Sequence, residues 1–190
     1  VEKALDAAMT NFHPEAAWAI VEEVRTGEIL AMASRPAYDL NDYNKTDADT
    51  RLNRAVGVNF EPGSVFKVGV VAAALNEGLI STNDLFFCEN GMWFYANRPL
   101  RDFHPYGTLD VTGILRKSSN IGAAKIAVML GEDRLHRYLT AYGLGKPTGL
   151  EVPGEESGLL HPRSKWTKVD ITRVAMGHTV AVTALQMLNV

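Results

Sequence analysis

A serine and a lysine stand three residues apart in the segment Pro62–Lys67, at the start of a long apolar stretch. Residues 64–76 are apolar almost all round, interrupted only by Lys67 and Gly69, which is typical of a buried helix. On such a helix Ser64 and Lys67 share one face. Burial disfavours the ammonium form, so we expect Lys67 to supply the free amine that activates a serine nucleophile. The alternative is that Ser64 caps the helix and Lys67 reaches out to solvent.

A second polar segment, Ser118–Asn120, lies at a predicted junction between two helices. Ser118 is suited to relay a proton between Lys67 and a leaving group. The amide of Asn120 offers both a hydrogen-bond donor and an acceptor, which suits a peptide-like substrate. The same residues are also good N-cap residues for the helix that follows, so a capping role fits the sequence as well.

Composition limits the classes of protein that fit. The 190 residues carry a net charge of −3, and 46% of them are apolar, as in a globular domain with a real core. No basic face indicates nucleic acid, and no apolar run approaches the roughly 20 residues of a membrane span. The single cysteine, Cys88, excludes an intrachain disulfide and is predicted to be a small core residue. The histidines lack metal-ligand spacing, so we expect no metal and no cofactor: His13, His104, His136, His161 and His178.

The periodicity predicts an α+β fold with few strands. Two runs with β character, 16–23 and 28–34, are separated by a turn at Gly27, which tolerates a positive φ. Helices are predicted over residues 1–12, 64–76, 110–117, 120–130, 133–142 and from 179 onward. The remaining segments are predicted to be loops or short strands: 35–44, 85–107 and 144–165.

Together the two polar segments match a known signature. A Ser-x-x-Lys element followed by Ser-x-Asn makes up two of the three catalytic elements of penicillin-binding proteins and class A β-lactamases. The wider context resembles class B penicillin-binding proteins, the monofunctional transpeptidases of cell division and elongation. The resemblance extends over nearly the whole chain and is carried by five segments: Thr26–Pro36, Asn53–Val56, Glu61–Lys67, Lys117–Gly122 and Tyr142–Glu155.

This resemblance implies a D,D-transpeptidase, a serine acyl-transfer enzyme that cross-links peptidoglycan. Ser64 would attack the penultimate D-Ala of a stem peptide, with Lys67 as general base. Ser118 would relay the proton, and Asn120 would contact the substrate amide and Lys67. An amine from a neighbouring strand would then take the acyl group, and β-lactams would acylate the same serine. The implied fold is a helical subdomain packed on an antiparallel sheet, with Ser64 at their junction.

The resemblance also implies a cellular setting. The partners would be peptidoglycan stem peptides, β-lactam antibiotics as covalent inhibitors, and membrane proteins of the division or elongation machinery, with no nucleic acid. The protein would lie on the extracytoplasmic face of the bacterial membrane, anchored by an N-terminal segment absent here. Residues 1–190 would be the N-terminal part of one transpeptidase domain, with sheet strands within 16–34 and a mainly helical subdomain over 62–190.

The third element of the signature, Lys-Thr-Gly, is absent from the sequence. Residues 146–149 look similar, but they precede Leu150–Gly154 and so match a family loop that lies well before the catalytic strand. The end of the chain, Gln186–Asn189, matches the helix before that strand. The chain also opens in mid-helix with no signal peptide. We therefore expect a piece of a longer protein, with the missing strands after Val190.

Two other interpretations of the same motifs stay open. A serine β-lactamase would need a water-activating carboxylate after the second motif, where Glu151, Glu155 and Glu156 lie, although their setting matches the transpeptidase loop. A β-lactam sensor domain would bind the drug and signal without turnover.

Overall fold

The computed structural model describes residues 1–190. Its helices, several of only four or five residues, are α1 (Glu2–Phe12), α2 (Arg54–Gly57), α3 (Lys67–Asn76), α4 (Val111–Lys117), α5 (Asn120–Leu130), α6 (Glu132–Ala141), α7 (Asp170–Val174) and α8 (Ala184–Leu188). Its strands are β1 (Ala17–Glu22), β2 (Ile29–Arg35), β3 (Leu85–Phe87), β4 (Met92–Tyr95), β5 (Arg98–Arg101) and β6 (Thr108–Asp110). Short 3₁₀ segments lie at Leu40–Lys45, Gly63–Phe66, Glu89–Gly91 and Arg163–Lys165. None of the helices combines the length and the hydropathy needed to cross a membrane.

The strands form three separate antiparallel pairs. β1 pairs with β2, β3 with β6, and β4 with β5. The β1–β2 hairpin runs from Ala17 opposite Arg35 to Glu22 opposite Ile29, so the two predicted strands are confirmed to within one residue at each end. Helix α1 packs on this hairpin, where Arg35 donates to the Asp6 carboxylate at 2.6 Å.

The core lies among the helices. One cluster of 21 buried apolar side chains surrounds α3 and α5, with α4, α6 and α7 packed against them. A small residue allows this close approach, because a Cβ on Gly122 of α5 would lie 2.5 Å from Cγ1 of Ile114 on α4. Asp110 caps α4 by accepting the Gly113 N–H at 2.6 Å. The predicted helices 110–117 and 120–130 are therefore confirmed, including the cap.

The stretch predicted as one buried helix over 64–76 differs from the prediction in two ways. Its first turn belongs to the 3₁₀ segment Gly63–Phe66, and the α-helix begins at Lys67. The helix is not buried on every side, because Val65 and Val68 are 57% and 56% exposed. Val65 borders an open apolar depression of about 390 Å³ between β1 and α8. The sequence shows which residues are apolar but not which face another element covers.

The last helix was predicted from Thr179 but begins only at Ala184. Thr183 caps it with a capping box, and the residues just before pair as isolated bridges with Phe60 and Leu159. Helices α2 and α7 were not predicted, because four or five residues are too short to show an apolar period.

Candidate active site

Lys67 lies at the centre of a polar cluster within the helical region. The residue is only 1% exposed. Its Nζ lies 3.1 Å from the hydroxyl oxygen of Ser64 and 3.0 Å from that of Ser118. It also donates to the Ser118 main-chain oxygen and to Asn120 Oδ1, each at 2.7 Å. The structure thus brings the four site residues predicted from the sequence together around one amine.

Burial controls the charge of this amine. Desolvation lowers the pKa of Lys67 to about 8, and the negative charge of Asp102 opposes this by raising it. At pH 7 roughly a tenth of the side chains therefore carry the free amine. In that form, two N–H bonds satisfy the two oxygens at 2.7 Å, which can only accept. The lone pair is then left for a serine hydroxyl, and Ser64 is in place to donate to it.

Ser64 lies exposed on the turn that leads into α3. The turn is held from outside, because Gly63 donates its N–H to the Gly177 oxygen at 3.1 Å. Gly177 has no room for a side chain, since a Cβ there would lie 2.2 Å from the Gly63 oxygen. The backbone therefore holds Ser64 at the surface, with its hydroxyl beside the buried amine of Lys67.

Ser118 ends α4 in a left-handed conformation, with φ 55° and ψ 40°. This conformation is uncommon for a residue that has a Cβ, and such residues are concentrated at functional sites. Here it turns the chain so that both the main-chain oxygen and the hydroxyl of Ser118 face Lys67. One residue thereby supplies two of the four contacts to the amine.

The sequence left open whether this segment caps a helix or contacts the Lys67 amine, and the structure shows both roles on adjacent residues, Ser119 and Asn120. Ser119 is the fully buried N-cap of α5, and its Oγ accepts the Gly122 N–H at 2.9 Å. Asn120 donates through Nδ2 to the Arg101 oxygen at 2.9 Å, which fixes the amide so that Oδ1 faces Lys67. Helix capping and amine binding are therefore both present, on adjacent residues.

Asp102, which sequence reasoning missed, holds the start of α5. Its Oδ1 accepts the main-chain N–H groups of Asn120 and Ile121, the latter at 3.0 Å. Its Oδ2 accepts the Ser119 hydroxyl at 2.7 Å. A carboxylate at a helix N-terminus is also favoured by the helix dipole. Asp102 is 18 residues from Asn120 in the chain, and no short motif links them, so only the folded chain reveals the contact.

Cys88 packs behind the start of α5 as a core residue, as predicted. It is fully buried, with Sγ 3.4 Å from the Ser119 hydroxyl. Burial raises the pKa of its thiol, which favours the protonated form. A protonated thiol is a poor nucleophile.

Of the carboxylates considered for water activation, only Glu155 accepts hydrogen bonds within its own loop. Glu155 accepts the Thr148 N–H at 2.7 Å, and Glu156 accepts from the Asn59 amide at 3.2 Å. Glu151 is exposed and accepts no side-chain hydrogen bond. None of these carboxylates contacts the serine–lysine pair.

Residues 146–149, which resemble the third element of the signature, lie in a loop without strand structure. Gln186 anchors this loop by donating to the Lys146 oxygen at 2.7 Å. No group of three or more His, Cys, Asp or Glu side chains is arranged to hold a metal ion.

The family model of the penicillin binding protein transpeptidase domain matches residues 17–190. The chain is 34% identical over 183 residues to the probable peptidoglycan D,D-transpeptidase PenA of Neisseria gonorrhoeae, covering 96% of this chain and 31% of that protein. It is 34% identical over 191 residues to the peptidoglycan D,D-transpeptidase FtsI of Escherichia coli K12, covering 100% of this chain and 32% of that protein.

Among solved structures, the transpeptidase domain of Burkholderia pseudomallei penicillin-binding protein 3 matches with a TM-score of 0.86 at 32% identity. The match covers 98% of this chain and 52% of that one. The chain therefore belongs to the penicillin-binding protein transpeptidase family, with relatives of class B, and the predicted α+β fold class is confirmed. The chain spans about a third of the length of the curated relatives it matches.

Proposed function

We propose that this chain is the nucleophile-bearing part of a peptidoglycan D,D-transpeptidase. The observation that carries the proposal is the hydrogen bonding of Lys67. In the free amine, the two N–H groups donate to the Ser118 main-chain oxygen and to Asn120 Oδ1, and the lone pair is available to the Ser64 hydroxyl at 3.1 Å or to the Ser118 hydroxyl at 3.0 Å. An exposed serine hydroxyl beside a buried amine with a lowered pKa is the arrangement expected of a nucleophile and its base.

In the acylation step, Lys67 takes the Ser64 proton while Oγ bonds to the carbonyl carbon of the penultimate D-Ala. The peptide C–N bond breaks, and Ser118 passes a proton from the Lys67 ammonium to the departing D-Ala amine. In the second step an acceptor amine bonds to the acyl carbon and the ester bond to Ser64 breaks. The proton lost by the amine returns to the serine oxygen through the same groups, so the enzyme is restored.

The developing oxyanion needs donors that are fixed before the reaction. The main-chain N–H groups at the start of the Ser64 helix are suited to this role. We propose that residues 1–190 are the N-terminal part of one transpeptidase domain, with sheet strands within 16–34 and a mainly helical subdomain over 62–190. A Lys-Thr-Gly strand outside these residues would supply the substrate-carboxylate contact and the remaining oxyanion donor. The chain covers 52% of the solved transpeptidase-domain chain of Burkholderia pseudomallei penicillin-binding protein 3, which supports this division.

The proposed partners are peptidoglycan stem peptides and β-lactams, which mimic D-Ala-D-Ala and acylate the same serine. We further propose membrane proteins of the division or elongation machinery as partners. The proposed location is the extracytoplasmic face of the bacterial membrane, with an N-terminal anchor. The names of PenA and FtsI support the substrate class.

The test is acylation of the full-length protein by a labelled penicillin, followed by peptide mapping. The label is expected on Ser64 alone and is expected to be lost in Ser64→Ala. Ser81→Ala, which removes a serine bonded to Asp84 in a surface turn, is the matched control and should label normally. Label on another residue would overturn the proposal. Release of the label within seconds would instead indicate a β-lactamase.

A further inference from the structure

The β4–β5 hairpin leaves one of its faces uncovered. Met92 lies opposite Arg101, and Phe94 lies opposite Pro99. Residues directly opposite each other in an antiparallel pair share a face, and these four are all exposed, with Met92 at 46% and Phe94 at 66%. The opposite face carries Leu100, which is buried in a core cluster. The exposed hairpin face is therefore free to contact a ligand.

Arg101 joins this hairpin face to the candidate active site. Its main-chain oxygen accepts a hydrogen bond from Asn120 Nδ2 at 2.9 Å, and Asn120 Oδ1 accepts from Lys67. The next residue, Asp102, accepts the main-chain N–H of Ile121 at 3.0 Å. The backbone of Arg101 is therefore fixed beside the residue that is expected to contact the substrate amide, while its side chain remains free.

The free charges of residues 92–120 are all positive. The acidic residues of this segment are Asp102 and Asp110, whose carboxylates cap α5 and α4. Its basic side chains are exposed and make no ion pair and no hydrogen bond: Arg98, Arg101, Arg116 and Lys117. This part of the surface therefore attracts an anion, although the chain as a whole carries a net charge of −3.

We propose that Arg101 binds the acyl-donor stem peptide through a free carboxylate on the residue that precedes its D-Ala-D-Ala end. The guanidinium matches such a carboxylate in a bidentate geometry. The aliphatic part of the same peptide residue lies against Met92, whose flexible side chain adapts to an apolar surface. The inference rests on the proposed function and deepens it, because it names the donor as an anionic peptide rather than its amidated form.

The position of Arg101 favours the donor peptide over other anions. A donor whose amide contacts Asn120 has its preceding residue within reach of the Arg101 side chain, because the two protein residues are hydrogen-bonded to each other. Arg101 takes no part in the bond changes at Ser64. It raises the occupancy of the donor with its carbonyl carbon beside the serine, so its loss is measured in kcat/KM for acylation.

The test uses the full-length protein and two peptide donors that end in a D-Ala thioester. The donors differ only in the residue before D-Ala, which carries either a side-chain carboxylate or the corresponding carboxamide. Wild type is expected to prefer the carboxylate donor. Arg101→Gln is expected to lower kcat/KM for that donor about 3- to 30-fold and to leave the amide donor within about twofold. The preference should weaken with added salt, because the ion pair is exposed.

Two further variants separate the charge from the apolar contact. Arg101→Glu reverses the charge and is expected to make the amide donor the better of the two. Met92→Ser is expected to lower kcat/KM for both donors to the same extent, about two- to fivefold, because it contacts the part that they share.

Arg98→Gln is the matched control, since it removes the same charge from the same hairpin. Side chains alternate along a strand, so Arg98 lies on the opposite face from Arg101, and neither donor should change by more than about twofold. Penicillin labelling of Ser64 checks that each variant is folded.

The absence of a carboxylate preference in wild type would overturn the inference. An equal change with both donors in Arg101→Gln would also overturn it, and in either case labelling of Ser64 would stay intact. Failure of the wild-type protein to acylate at Ser64 would overturn the proposed function and this inference with it.

Discussion

Two regions of this chain are built differently. Residues 54–190 contain the helical core, whereas residues 1–53 contain α1 and the β1–β2 hairpin. Of the 40 buried residues, only Leu5 lies in the first region. All the residues around the Lys67 amine lie in the second. The geometry of the site therefore depends on the helical core, and the hairpin packs against that core through α2.

The difference follows from what surrounds each element. Helix α5 is covered by α3, α4, α6 and α7, so the residues at its start are fixed on several sides. The hairpin pairs with no other strand of the chain, and Val21 and Leu30 are 41% and 60% exposed. Fully burying such side chains contributes about 1.5–3 kcal/mol each, and within residues 1–190 these two side chains make only part of that contribution.

The largest effect is expected at the amine itself. Lys67→Arg keeps the positive charge but removes a base, because a guanidinium is not deprotonated in proteins. Acylation of Ser64 by labelled penicillin should fall about 10²- to 10⁴-fold. Lys67→Met, which removes the amine without adding bulk, should lose acylation as well.

Near-ultraviolet circular dichroism checks that both Lys67 variants keep the packed core. Lys168→Arg, at an exposed lysine away from the cluster, is the control and should acylate normally. Normal acylation kinetics in either Lys67 variant would show that this amine is not the base.

The next effect compares the stability contributed by the two regions. Leu135→Ala on α6 removes a side chain that is 0% exposed and should lower the free energy of unfolding by about 2–5 kcal/mol. Val21→Ala on β1 should lower it by less than about 1 kcal/mol. Urea denaturation of both variants measures the difference. Equal losses would mean that the hairpin is as tightly integrated as the core.

A smaller effect is expected at Asp102. Asp102→Asn removes the negative charge that raises the pKa of Lys67, so the pKa should fall further below about 8 and the midpoint of the acylation pH profile should move to lower pH. Weaker capping of α5 should also cost about 1–3 kcal/mol of stability. Asp84→Asn, at a carboxylate that bonds only Ser81, should leave the midpoint unchanged. An alkaline shift in Asp102→Asn would contradict the assigned electrostatics.

The features that could be predicted from the sequence are those set by residues close together in the chain. The bounds of α5 were predicted from an apolar run that a glycine ends, and the hairpin from two β-rich runs around Gly27. The serine–lysine spacing and Ser118–Asn120 predicted the residues that meet at the amine, because each pair lies on one short segment.

The features that were missed or predicted wrongly depend on contacts between segments that are distant in the chain. Asp102 meets the start of α5 only after β5 is placed, and no spacing rule links the two. Val65 in the 3₁₀ segment and Val68 on α3 were predicted to be buried but are exposed, because composition does not reveal which face a neighbouring element covers. The late start of α8 has the same origin, since Val182 pairs with Phe60 across the fold.

We propose that Lys67 acts on Ser64 as a free amine with a pKa of about 8. The most direct test is the pH dependence of the rate at which labelled penicillin acylates Ser64 in the full-length protein. Because only the unprotonated amine accepts the serine proton, the rate should rise with pH and level off above a single midpoint near 8, with roughly a tenth of the plateau value at pH 7. A rate that does not change between pH 6 and 9, or a midpoint near the ordinary lysine value of 10.5, would contradict the account.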